Sequence, residues 1–227
     1  MSLPAEVKAV LTTDTVRAWG DLAGHLPDQL VLVGGTALAV HLQHRVSRDL
    51  DFFFTDPGVD LAALRRALEG LPGGFAVTRE SQGTLNGVYS ATKVQFLDAT
   101  TQTPIEEPSV CAGLRIAGMG DILATTVKAI GDRPALRDYF DLKSIEEQTD
   151  LTVDAGLRLY MRRYGVSADD ASVGHIVGAL GYLGDVDPDD QLPEDKASIE
   201  RYWQTRQPEI ARNAARRGPA APARDVR

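Results

Sequence analysis

Asp49 and Asp51 are the residues whose types and spacing best suit chemistry. They flank Leu50 at the head of Asp49-Leu50-Asp51-Phe52-Phe53-Phe54, an apolar run that reads as a strand. Alternation along a strand sends both carboxylates to one side and turns Leu50, Phe52 and Phe54 into the core. Two carboxylates at i and i+2 can share one or two hard divalent cations through oxygen ligands. Such ions bridge a triphosphate and an attacking hydroxyl, and they neutralise the charge that develops during in-line displacement. An isolated Asp-x-Asp is more often a pair of solvated acids. The balance shifts because Gly34-Gly35-Thr36 stands upstream, with twelve residues between it and Asp49. There the chain can turn tightly out of a strand and open a helix whose free N–H groups form an anion cradle. Thr36 can add a hydroxyl to that cradle or cap the helix.

The elements that must carry these residues are legible in outline. Leu30 to Val33 is a short apolar strand stopped by Gly34-Gly35, Thr36 to Gln43 a helix, and Leu50 to Phe54 a strand ended by Thr55-Asp56-Pro57-Gly58. Thr13 to Leu26 and Leu61 to Leu68 have helical spacing. Three strand-like runs follow at Phe75 to Arg79, Thr84 to Ser90 and Lys93 to Leu97, with Asn86-Gly87 as a bend. Strands and helices sharing one domain imply an α+β fold with a mixed sheet. From about Met119 the pattern is helical: Asp121 to Ile130, Pro134 to Glu147, Val153 to Tyr164, Ala168 to Leu183 and Lys196 to Ala215. Pro134 suits the first turn of its helix. The expected organisation is a β-rich domain over residues 1–118, a helical domain over 119–217 and a disordered tail over 218–227.

At 227 residues and 43% hydrophobic, the chain can bury one sizeable core or two modest ones. No run of 18 apolar residues and no signal-peptide pattern is present, so no membrane association is expected. Cys111 is the only cysteine, which excludes an internal disulfide and fits a reducing cytoplasm; it reads as a small buried apolar residue. His41 and His44 have no Cys or acid at zinc-ligand spacing and read as ordinary helix residues. The net charge of −8 argues against a protein that coats nucleic acid non-specifically. Acid gathers from Asp185 to Asp195, and arginines follow at 201, 206, 212, 216 and 217. That segment is either a solvated last helix or an arm that meets a polyanion such as RNA. The chain has five lysines, and Lys143 reads as a surface lysine.

The stretch LVGGTALAVHLQHRVSRDLDFFF, Leu32 to Phe54, resembles the first motif of the AbiEii/AbiGii-type nucleotidyltransferase toxins, within the DNA-polymerase-β-like superfamily. That family includes mycobacterial toxins that add nucleotides to tRNA 3′ ends. ILATTVKAIGDRPALRDYFDL, Ile122 to Leu142, is similar to its later lysine-to-arginine and Arg-Asp-x-x-Asp motifs. The resemblance covers roughly residues 30 to 145. It implies a polymerase-β-like mixed sheet followed by a helical half, and transfer of a nucleotide from an NTP to an acceptor hydroxyl. The tRNA 3′ end would be the acceptor, magnesium (or manganese) the ion on Asp49 and Asp51, and an antitoxin the partner. Gly34, Gly35 and Thr36 would cradle phosphate. Lys128 would neutralise the triphosphate with help from Arg133. Asp138 would sit at the nucleotide, and Asp141, three residues on along the same helical face, would contact it or activate the acceptor. Arg45 and Ser47 fall inside the first motif, and Arg45 is as readily a surface arginine as a phosphate contact.

The sequence departs from the superfamily where a third carboxylate is common on a neighbouring strand. The candidate strand reads Lys93-Val94-Gln95-Phe96-Leu97-Asp98. With Val94 and Phe96 in the core, Lys93 and Gln95 face the site and Asp98 faces away. Gln95 cannot take a proton, so the general base is open. Three readings stand here: a toxin acting on tRNA, a transferase acting on a small molecule such as an antibiotic, and a decayed scaffold that only binds nucleotide. Retention of Asp49, Asp51, Lys128 and Asp141 together weighs against decay.

Overall fold

The computed structural model describes residues 3–216, which form two compact units divided between Thr125 and Thr126. The expected tail, 218–227, together with Arg217, lies outside the described residues. The first unit opens with helices α1 (Ala5–Ala9) and α2 (Thr13–Leu22). Then come β1 (Leu30–Val33), α3 (Gly34–Leu42), β2 (Leu50–Phe54) and α4 (Leu61–Glu69). The hairpin strands β3 (Phe75–Ser81), β4 (Thr84–Tyr89) and β5 (Thr92–Asp98) follow, then the short β6 (Ser109–Cys111) and β7 (Leu114–Ile116).

All seven strands join one sheet in the order β3-β4-β5-β2-β1-β7-β6. It is mixed, as expected: β2 runs parallel to β5 and β1 parallel to β7, while the other neighbours are antiparallel. Leu50, Phe52, Phe54, Val94, Phe96, Leu85 and Tyr89 are buried on one face, where Phe52 stacks on Phe96 at 5.3 Å. On that face α2 is tied down by Tyr89, whose hydroxyl donates to Asp21 at 3.1 Å, and α4 by the Arg65–Glu80 ion pair. Asp51, Phe53, Gln95, Leu97 and Asn86 share the opposite face and are half-buried.

Asn86-Gly87 is no bend; it lies inside β4. Gly87 is needed there because a Cβ would come within 2.4 Å of the Phe75 ring on β3. The turn is made instead by Ser90-Ala91, both at positive φ (46° and 67°), the geometry of a tight two-residue hairpin. The strands β6 and β7 and the helix α1 have no counterpart in the sequence reading. Cys111 sits half-buried on β6, and burial together with the nearby Glu6 pushes its thiol pKa up, which keeps it protonated and inert.

Helix α5 (Met119–Asp132) carries the chain from the first unit into the second, which holds α6 (Leu136–Gln148), α7 (Val153–Tyr164), α8 (Ala171–Leu180) and α9 (Lys196–Arg216). Pro134 precedes the Ala135 N-cap of α6 and so lies outside the first turn. Trp203 of α9 is fully buried; its ring N–H donates to the Tyr139 carbonyl of α6, and Ile199 and Ile210 are buried with it. No described helix is long and apolar enough to cross a membrane.

Two charged residues read as surface groups are structural. Lys143 is buried, donates to Glu147 and Glu194 at 2.7 Å each, and lies over the Tyr202 ring. Burial works to lower its pKa, but the two acids outweigh that and hold it up. Arg206 joins Glu146 of α6 (3.0 Å) to Asp154 of α7 (2.6 Å), with Tyr202 also donating to Glu146 and Asn213 to Asp154. Burial opposes its charge, yet the bonds to Glu146 and Asp154 hold the guanidinium above its usual range. Arg206 therefore clamps three helices and is not part of an RNA-facing arm.

Candidate active site

β1 ends at Val33, and Gly34 at φ +67° turns the chain directly into α3. The register sets Val33 beside Asp51. A Cβ on Gly34 would stand 3.3 Å from Asp51 Oδ2, so the missing side chain is what lets the carboxylate lie against the helix start. No side chain caps α3, because its N-cap is Val33. Unbonded N–H groups of a first turn carry positive potential, which suits phosphate or the carboxylate beside it.

Asp49 precedes β2 and is half-buried. Its backbone is braced. Thr36 is 2% exposed, and its hydroxyl donates to the Asp49 carbonyl and lies 2.6 Å from Ser47 Oγ. The Thr15 hydroxyl of α2 donates to the Arg48 carbonyl at 3.1 Å, and Ser47 N–H to the Val10 carbonyl at 2.8 Å. Thr36 is thus neither the cap of α3 nor turned outward; its hydroxyl fixes the segment that aims Asp49. Ser47 falls inside the first motif, but Thr15, which shares this work, carries no local sequence signal, since its contact with Arg48 spans more than thirty positions. His41 also has a fold role, donating from Nε2 to the Ala117 carbonyl at 2.8 Å.

Asp51 lies within β2, and Asp49 immediately precedes that strand. Gln95 is the register partner of Asp51 on β5, and Asn86 of β4 is the partner of Gln95. Asp98 is exposed and caps its own turn, accepting from Thr100 N–H at 2.7 Å. Among the described residues no third His, Cys, Asp or Glu joins the pair. Two hard carboxylate donors suit a cation that keeps its water or takes phosphate oxygens for the rest of its shell, as magnesium does. The donor set fits such an ion.

The second unit holds the remaining candidates. On α5, Ile122, Val127 and Ile130 are buried, and Lys128 is half-exposed on another side. Its Nζ lies 2.5 Å from Asp132 Oδ2 and 5.5 Å from the centre of the Tyr164 ring. Burial raises the Tyr164 pKa to about 12, so the ring stays neutral beneath the ammonium. Arg133 is exposed just beyond the helix end. Asp138, in the first turn of α6, accepts the Ala135 N–H at 3.1 Å. Burial first, and then the charge of Asp141, push its pKa up to about 6. Asp141 is 3% exposed.

Comparison with known proteins adds to this geometry. The family model described as nucleotidyl transferase AbiEii toxin, type IV toxin–antitoxin system, matches residues 19–223. An uncharacterized protein of Aquifex aeolicus is 29% identical over 177 residues, covering 76% of this chain and 80% of its own. Among solved structures, MenT4, the nucleotidyltransferase toxin Rv2826c from Mycobacterium tuberculosis H37Rv, aligns with a TM-score of 0.61 at 18% identity, over 94% of this chain and 88% of that one. JHP933 from Helicobacter pylori aligns more loosely, with a TM-score of 0.49 at 20% identity, over 95% and 96%. The fold expected from the sequence is that of the mycobacterial nucleotidyltransferase toxin.

Proposed function

From the premise that this chain belongs to the AbiEii nucleotidyltransferase toxin family, we propose that it moves a nucleotide from an NTP to the 3′ hydroxyl of tRNA. The observation that carries this reading is Asp51 lying against Gly34 at the uncapped start of α3, beside Asp49. On this reading a carboxylate pair and a phosphate cradle work side by side. Asp49 and Asp51 would hold the magnesium ion, and the bound ion would offset phosphate charge and polarise the phosphorus under attack.

The chain's own residues have separable tasks. The N–H groups of Gly34 and Gly35 bind phosphate, and Thr36 keeps Asp49 aimed. Lys128, with Arg133, neutralises the triphosphate, and Asp138 adds a nucleotide contact. Asp141 accepts the proton as the acceptor oxygen bonds to the α-phosphorus and pyrophosphate leaves. Asp141 takes this part because Gln95, beside Asp51, has no basic lone pair to offer.

An acidic chain needs a local basic surface to hold RNA. At about 100° per residue, Arg201, Arg212 and Arg216 fall within roughly 60° on α9. All three are exposed, while Ile199, Trp203 and Ile210 are buried in the helix. A family partner of antitoxin type is expected to silence the activity, and the compartment is the cytoplasm. The test is transfer of α-labelled NTP to total tRNA with magnesium, in parallel with a panel of aminoglycosides. Label should enter tRNA, vanish with chelator and vanish in Asp51→Ala. Label in the aminoglycosides alone would replace tRNA with a small-molecule acceptor. Full transfer by Asp51→Ala would sink the assignment of the site.

A further inference from the structure

Lysine is depleted from strands, and where a strand carries one it commonly blunts an exposed edge. Lys93 is exposed on β5, an inner strand with β4 on one side and β2 on the other, so it guards no edge. Nor does it complete a charge pair across the sheet. Its register partner on β4 is Val88, and among the described residues Lys93 forms no ion pair. Thr92, Val94 and Phe96 are buried, so alternation along β5 puts Lys93 on the face of Gln95, the register partner of Asp51.

The registers also fix which end of the sheet Lys93 occupies. β1 runs antiparallel to β2, so the turn at Gly34 lies at the end where β2 begins. β5 runs parallel to β2, so Lys93, its second residue, lies at that end too. One step back from the Leu50–Val94 pair stand Asp49, just before β2, and Lys93. Two residues before Gln95, Lys93 is a diagonal neighbour of Asp51, and diagonal neighbours on adjacent strands stand about 7–8 Å apart, within reach of a long side chain. An unpaired, solvated ammonium thus shares a sheet end with the two carboxylates and the uncapped start of α3.

We propose that Lys93 binds the triphosphate of the incoming nucleotide, as a cation supplied by the same sheet that carries Asp51. Lysine meets phosphate as a point charge, and its flexible four-carbon stem lets the ammonium follow a mobile tail. A triphosphate brings more negative charge than one divalent ion offsets, and Lys93 makes up part of the difference from within the first unit. Lys128 belongs to the second unit.

The proposal rests on the reading of Asp49 and Asp51 as the metal pair, and the experiment separates the two. Inorganic tripolyphosphate, which has neither base nor sugar, is titrated with magnesium into the full chain by calorimetry, beside a melting curve for each variant. Asp51→Asn tests the pair and should weaken binding. Lys93→Gln should weaken it roughly 10- to 100-fold, the worth of a charge-assisted bond. Its melting temperature should stay in place, because no ion pair within the fold is lost. Lys93→Arg keeps the charge and should recover most of the loss. Arg17→Gln, at an exposed position of α2, controls for total charge and should bind as the parent does. Should Lys93→Gln melt early, Lys93→Thr replaces it, since a β-branched residue suits a strand. Parental affinity in the Lys93 variant, with Asp51→Asn impaired, overturns the proposal and spares the metal pair. Equal losses at Lys93 and Arg17 overturn it as a general charge effect. Parental tripolyphosphate affinity with reduced transfer to tRNA moves Lys93 to the acceptor and overturns it as well. Parental affinity in Asp51→Asn overturns both.

Discussion

Lys128 and Lys143 sit on consecutive helices in nearly the same local setting, and the difference between them separates an exchangeable charge from a structural one. Each is paired with an acid four residues on, and each lies 5.5 Å from a tyrosine ring centre, Tyr164 and Tyr202 respectively. Lys143 has a second acid, Glu194, and its side chain is 10% exposed. Lys128 has one paired acid, Asp132, and its side chain is 36% exposed. An exposed i,i+4 pair is weak and readily exchanged, whereas a buried ammonium with two acids costs a great deal to uncover. One lysine can leave its partner for a phosphate; the other holds its helix in place.

The largest effect expected from this contrast is on stability at Lys143. Lys143→Ala removes a buried stem and the cation of Glu194 and Glu147, and should cost about 2 kcal/mol in chemical denaturation. Lys128→Ala should change stability by under about 0.5 kcal/mol. It should instead lower kcat/KM for NTP roughly 10- to 100-fold, the worth of a charge-assisted phosphate contact. If the two variants trade places, with Lys143 setting turnover and Lys128 setting stability, the contrast is inverted and Lys128 is no clamp.

A middle-sized effect belongs to Asp138. Its folded pKa, about 6, lies above the ordinary value of 3.8. The folded protein therefore binds more protons than the unfolded chain between these pH values, and stability falls as pH rises from about 4 to about 6. Asp138→Asn keeps an oxygen for the Ala135 N–H and should flatten that fall, leaving the variant more stable than the parent at pH 7. A melting curve series with the same slope in both proteins would contradict it. The smallest effect is at Asp132. Asp132→Asn frees Lys128 from its resting pair and should lower the KM for NTP by about twofold; a rise in KM would show that Asp132 holds Lys128 in place for the phosphate.

How much of this was legible follows the same division. β1 and β2 are read to the residue because short apolar runs end abruptly at Gly34 and Thr55. The same reading puts Asp51 inside β2 and Asp49 at its entrance without any tertiary knowledge. β6 and β7 escape because Ser109-Val110-Cys111 and Leu114-Arg115-Ile116 are too short to show a period. Asn86-Gly87 imitates a turn, since the need for glycine comes from the Phe75 ring on another strand. The arginine run of α9 shows its charge but not its partners, and only tertiary contact reveals that Arg206 is spent on Glu146 and Asp154. Thr36 reads as a capping or phosphate residue until Ser47 and Asp49 fold back onto it.

Gly34 has a genetic consequence. Its φ of +67° and the 3.3 Å between a would-be Cβ and Asp51 Oδ2 act against every other residue at once. A single base change in its codon can displace the carboxylate and leave the buried cores of both units untouched. A toxin is harmful to the cell that makes it, so cells expressing this chain without its antitoxin are under pressure to silence it. Sequencing of survivors should return position 34 repeatedly among missense changes that still give full-length, folded protein. Position 35, where the same turn carries no positive φ, should return more rarely.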